Sequence, residues 1–145
     1  MTPSFGGPQP AFMRSLSVHL IEAQALFVPT LAEVFREAGL DLCSVSNDVD
    51  MHKLLDDQPD VLFVDADFVN QEPLRLINAL RMLVPNAVIC VYTSQRSPDW
   101  AKACHFAGAT AVFSKHADRR EIVDGIQEAL RRQPYTDIRL RNEEQ

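Results

Sequence analysis

The sequence predicts an α/β fold of five βα units wound doubly around one parallel sheet, and three observations predict it. Short apolar runs alternate with stretches of helical periodicity through the middle of the chain, the pattern of βαβ units. The run Val61-Leu62-Phe63-Val64 is apolar at every position, as a strand covered on both faces requires. A length of 145 residues, 46% hydrophobic and 23% charged, suits one packed core rather than two.

Residues 1–15 carry Pro3, Gly6, Gly7, Pro8 and Pro10 and are expected to form a flexible arm ahead of a domain over residues 16–133. The first strand is expected at 18–21. The helix after it shows Leu31, Val34, Phe35 and Ala38 on one face and stops at Gly39. A second strand follows at 40–45. Asn47 or Asp48 is placed to cap a short helix to about Leu55, and Pro59 separates it from the third strand, which ends at Asp65. A helix over 74–83 leads through Pro85 to a fourth strand over 87–92, with Thr93 and Ser94 at its end. Ser97-Pro98-Asp99 opens the fourth helix with a capping hydroxyl, a proline at the first helical position and an acid in the first turn, and Gly108 closes it. Residues 111–113 form the fifth strand. Asp118 and Glu121 make an acidic capping box ahead of Ile122, Ile126, Ala129 and Leu130. Residues 134–145 read as a polar tail.

The bulk properties exclude several classes. No apolar run approaches the roughly 18 residues of a membrane span, and the N-terminal segment lacks the form of a secretory signal. A soluble, cytoplasmic protein with no membrane partner is expected. A net charge of −6 argues against direct nucleic-acid binding, which needs clustered Lys and Arg. Cys43, Cys90 and Cys104 are odd in number and widely spaced, so they read as buried small apolar residues rather than zinc ligands or disulfide partners.

Five such units wind in the order 2-1-3-4-5, the flavodoxin-like arrangement, and ligands bind where strands one and three lie side by side and the winding reverses. The carboxyl ends of strands 1, 3, 4 and 5 are Glu22, Asp65, Thr93 and Lys115. A carboxylate nucleophile, a second acid to help hold a divalent cation, a hydroxyl donor and an ammonium on one rim suit phosphoryl transfer. A phosphoryl group needs a hard cation such as Mg²⁺ and a positive side chain against its oxygens. Asp65 would carry the group as an acyl phosphate.

The segments VHLIEAQALF, DVLFVDADF, VICVYTS and GATAVFSKHADRREIVDGI resemble the receiver domains of bacterial two-component signalling, over about residues 17–132. The resemblance implies that Asp65 is the phosphoacceptor, Thr93 the switch hydroxyl and Lys115 the phosphate-pairing lysine. It also implies a histidine kinase or phosphotransfer protein as donor and dimerisation through helix 4, strand 5 and helix 5. The sequence departs from that pattern in four places. Receivers carry two adjacent acids after strand 1, where this chain has Glu22 and Ala23, and the second acid is normally a metal ligand. The loop beyond the acceptor holds Phe68-Val69 in place of a Met-Pro pair. His116 stands where a proline is common, and Val112 matches the aromatic switch position with Phe113 beside it. Asp67 is placed to reach the cation and replace the lost acid, giving Glu22, Asp65 and Asp67 as the metal set.

Three functions follow. The first is a phosphoacceptor that relays its charge change through helix 4, strand 5 and helix 5, near Trp100, His105, Phe106, Arg119 and Ile122. Exposed aromatics there would mark a partner surface. The second is a pseudo-receiver, an interaction module independent of phosphorylation. The third is a phosphatase of the haloacid-dehalogenase type, whose D-x-D motif Asp65-Ala66-Asp67 resembles. No output domain is recognisable after residue 132, so either a stand-alone regulator or a piece of a larger one is expected.

Overall fold

In a computed structural model, which describes residues 15–21, 24–46, 49–67 and 72–142, the chain alternates strand and helix. The strands are β1 (Leu16–Ile21), β2 (Leu40–Ser46), β3 (Val61–Asp65), β4 (Val88–Thr93), β5 (Ala111–Ser114) and β6 (Tyr135–Thr136). The helices are α1 (Val28–Glu37), α2 (Met51–Asp57), α3 (Pro73–Leu83), α4 (Pro98–Ala107) and α5 (Arg119–Leu130). All pairings are parallel, in the order β2-β1-β3-β4-β5-β6. The expected order of five strands is therefore present, extended by one.

The period of two along the strands divides the core into two layers. Val18, Leu20, Phe63, Cys90 and Phe113 face α1 and α5, while Leu62, Val64, Ile89, Val91 and Val112 face α2, α3 and α4. Phe63 stands at the centre of the first layer. Its ring lies 5.1 Å from Phe35 of α1, 5.5 Å from Tyr92 and 5.9 Å from Phe113, centroid to centroid. Such aromatic packing adds to the burial of apolar area that dominates the stability of a sheet covered on both sides.

The local signals at the starts of α4 and α5 are realised. The Ser97 hydroxyl accepts from the Trp100 N–H at 3.1 Å. Asp118 and Glu121 bond reciprocally, at 2.8 and 2.9 Å. The cap of α2 is Asp50 and not the expected Asn47 or Asp48: the helix starts only at Met51, and the Asp50 carboxyl accepts from the Lys53 N–H; Asn47 and Asp48 themselves lie outside the described residues. Residues 1–14 of the expected arm also lie outside them.

Two expectations need correction. Cys90 and Cys104 are buried, and burial pushes each thiol up to about 12, but Cys43 is exposed. It sits where the β1/β2 register slips by one residue, so the alternation there turns it out of the core. Residues 134–142, expected as a polar tail, instead return along the sheet edge. The Tyr135 N–H donates to the Thr110 carbonyl at 3.0 Å and the Asp137 N–H to the Val112 carbonyl at 2.9 Å. Tyr135 packs on Phe113 at 5.2 Å, and Leu140 is buried in the α4 layer. Gly125 of α5 makes room for this: a Cβ there would lie 2.8 Å from the Tyr135 ring.

Arg81, on the last turn of α3, joins three elements. Its guanidinium donates to the carbonyls of Gly108, Pro85 and Ala87, at 2.6–3.2 Å, tying the end of α4 to the entrance of β4.

Candidate functional site

The carboxyl ends of β3, β4 and β5 place the candidate residues together. Asp65 terminates the all-apolar β3, and its side chain is only 1% exposed. A carboxylate this deep needs a partner, since an isolated buried charge is strongly penalised. Lys115 supplies it: two residues beyond Phe113, it continues the face that β3 and β5 share, and its Nζ lies 2.8 Å from Asp65 Oδ2. The ammonium also sits 5.4 Å from the Tyr92 ring and 5.5 Å from the Phe27 ring, where the faces of both rings attract it.

Asp67 completes the arrangement in a way the sequence did not reveal. Its backbone N–H donates to Asp65 Oδ1 at 2.9 Å, closing the turn after β3. Its carboxyl, 18% exposed, then reaches across to β4. Oδ1 accepts from the Thr93 hydroxyl at 3.0 Å, while Oδ2 accepts from the Ser94 N–H at 2.8 Å and lies 3.2 Å from Lys115 Nζ. Burial pulls the Asp67 carboxyl upward, but the Ser94 hydrogen bonds and the Lys115 charge outweigh it and hold the acid below its ordinary value. Thr93 is fully buried, and its Oγ1 in turn accepts from the Gln95 N–H at 3.0 Å.

The structure thus brings Asp65, Asp67, Thr93 and Lys115 into one cluster. Glu22 and Ala23, the other strand-end positions read from the sequence, lie outside the described residues, as do Phe68 and Val69. Among the described residues no group of three His, Cys, Asp or Glu is close enough to hold a metal ion. The carboxylates of Asp65 and Asp67 suit a hard divalent cation in kind.

The face expected to signal lies next to this cluster. Trp100 is half-buried against the α3 and α4 layer, Ile122 is buried, and Arg119 is exposed and paired with Glu37 of α1 at 3.1 Å. Phe106 is 97% exposed. His105 bonds to the β6 residue Thr136 at 2.8 Å. Asp137, fully buried, accepts from the Ser114 N–H at 3.1 Å, immediately before Lys115, and pairs with Arg139, which also pairs with Glu121 of α5. The motif Asp65-Ala66-Asp67 begins at the end of the third strand among the described residues, whereas the phosphatase pattern needs it on the first. No helix among the described residues is long and apolar enough to cross a membrane.

Comparison with known proteins agrees with this fold. The methanol utilization control regulatory protein MoxX of Paracoccus denitrificans is 33% identical over 85 residues, which are 57% of this chain and 38% of that protein, so the chain spans well under half of that relative. A LuxR-family two-component response regulator from Aurantimonas sp. SI85-9A1 superposes with a TM-score of 0.76 at 16% identity, over 88% of this chain and 93% of that one. A response regulator from Burkholderia pseudomallei, solved with a phosphorylated aspartic acid, calcium ion and citrate, gives 0.68 at 23% identity, over 81% and 70%. The family model for the response regulator receiver domain matches residues 18–127. The chain belongs to the response regulator receiver family of two-component signalling.

Proposed function

We propose that this domain accepts a phosphoryl group on Asp65 from a histidine kinase or phosphotransfer protein and passes the change to the face formed by α4, β5 and α5. The observation that carries the reading is the Lys115 ammonium 2.8 Å from a strand-end carboxylate that is almost wholly buried. In the step itself an Asp65 oxygen forms a new P–O bond, the bond from phosphorus to the donor atom breaks, and the donor leaves with the electron pair. Lys115 offsets charge on the incoming oxygens, and the Thr93 hydroxyl donates to one of them.

Glu22, Asp65 and Asp67 would hold a divalent cation such as Mg²⁺, which would supply positive charge against the phosphoryl oxygens. Asp67, the third expected ligand, already holds the Thr93 hydroxyl on Oδ1 and the Ser94 N–H and Lys115 ammonium on Oδ2, so a cation would compete with these donors for its lone pairs. The Burkholderia protein carries a phosphorylated aspartic acid and a calcium ion, and the reading extends that chemistry to Asp65. A homodimer through the α4-β5-α5 face would meet β6, which covers the edge of β5.

A second reading, a pseudo-receiver that binds partners without phosphorylation, is favoured by the engagement of Thr93 and Lys115 with Asp67. Incubation with Mg²⁺ and acetyl phosphate separates the two. The first expects a gain of one phosphoryl mass that Asp65→Asn abolishes. No gain from acetyl phosphate or from any histidine-kinase donor would leave the second.

A further inference from the structure

Three donors from the ends of β4 and β5 converge on one point: the Thr93 hydroxyl, the Ser94 N–H and the Lys115 ammonium. The group found there is the Asp67 carboxylate, at 3.0, 2.8 and 3.2 Å. We propose that Asp67 is a resident internal ligand of the phosphoryl-binding donors, standing in the place of the transferred group and competing with it. The word phosphoryl rests on the reading of Asp65 as acceptor; the occupancy of the donors by Asp67 does not.

The competition follows from how the donors are shared. Lys115 Nζ is already 2.8 Å from Asp65 Oδ2, so a phosphoryl group on Asp65 would bring its oxygens to the donors that Asp67 now holds. A carboxylate offers two anionic oxygens where the phosphoryl group offers three, and the two anions repel each other at this distance. One must leave. The acceptor itself aims its rival, because Asp65 Oδ1 holds the Asp67 N–H at 2.9 Å and so fixes the turn. Two consequences follow. The Thr93 hydroxyl is held by the Asp67 carboxylate before any phosphorylation, and uptake of the group is slowed by the need to expel Asp67.

The test uses the full ¹⁵N-labelled chain as wild type, Asp67→Ala and the isosteric Asp67→Asn, first without metal or phosphodonor. The Ser94 and Gln95 amide signals should move in Asp67→Ala, and added inorganic phosphate should return them toward their wild-type positions by filling the emptied donors. With acetyl phosphate at saturating Mg²⁺, Asp67→Ala should then label at least about tenfold faster than wild type, the factor matching the loss of one charge-assisted hydrogen bond. Ser94 and Gln95 signals unmoved in folded Asp67→Ala and Asp67→Asn would overturn the proposal, as would equal or slower labelling of Asp67→Ala where wild type labels. If neither protein labels from acetyl phosphate or from any histidine-kinase donor, yet the amide signals move and inorganic phosphate returns them, the acceptor reading fails while Asp67 stands as the internal ligand.

Discussion

Lys115 is the residue on which the site's electrostatics turn. Its ammonium is shared between Asp65 and Asp67 and packed between two aromatic rings, so it has little freedom to leave. Removing one member of a buried pair leaves the other charge uncompensated, which costs more than the pair itself contributes. Lys115→Met should therefore lower unfolding free energy in urea by about 3 kcal/mol. Adding Asp65→Asn to it should recover a large part of that loss, because the stranded charge is then gone. Equal losses in the single and double variants would show that packing of the lysine stem, not its charge, matters here.

At the scale of elements, β6 and the 3-10 turn Ile138–Leu140 alter the expected signalling face. Asp137 is the anchor: it is fully buried and accepts from the backbone N–H groups of Ser114 and Arg139 as well as from the Arg139 guanidinium. Asp137→Ala would leave the Ser114 N–H without this acceptor, and a buried donor without its partner costs about 2 kcal/mol. Faster hydrogen exchange at Ser114 and Tyr135, with α1 and β2 unchanged, is the expected result. The helix caps at Ser97 and Asp118 were legible in the sequence because a cap is a bond between residues three apart. The strand β6 was not, because two residues in a polar stretch carry no period, and their pairing is set by the Thr110 and Val112 carbonyls more than twenty positions earlier. Asp65, Thr93 and Lys115 were legible as strand ends once the winding order was known. The part Asp67 plays was not, since its direction depends on a turn closed by the Asp65 carboxylate. Arg81 escaped notice for a related reason: a charged residue in a last helical turn ordinarily faces solvent, and only the meeting of α3, α4 and β4 gives it carbonyls to bind.

Across the whole molecule the doubly wound sheet does two things at once. It buries β3 and β4 on both faces, and it sets their carboxyl ends side by side on one rim, so a rigid scaffold holds Asp65 and Thr93 in one polar cluster. The same burial has a cost at His19 of β1. Burial lowers the pKa of its imidazole, with Asp57 at 3.5 Å opposing in part, so the folded protein binds a proton there less readily than the unfolded chain. The unfolded chain then holds more protons below its value of 6.5, and stability falls as pH drops through that value and toward the lowered one. His19→Leu should flatten this limb between pH 7 and 5 in urea titrations, whereas an unchanged slope would place the dependence elsewhere.

If Asp65 carries the phosphoryl group, the position of the label reveals it. After incubation with acetyl phosphate and Mg²⁺, borohydride reduction converts an aspartyl phosphate to homoserine, which peptide mass mapping assigns to a position. Homoserine at residue 65 alone is the expected result. Homoserine at another acid, such as Asp67, with Asp65 unmodified would contradict it.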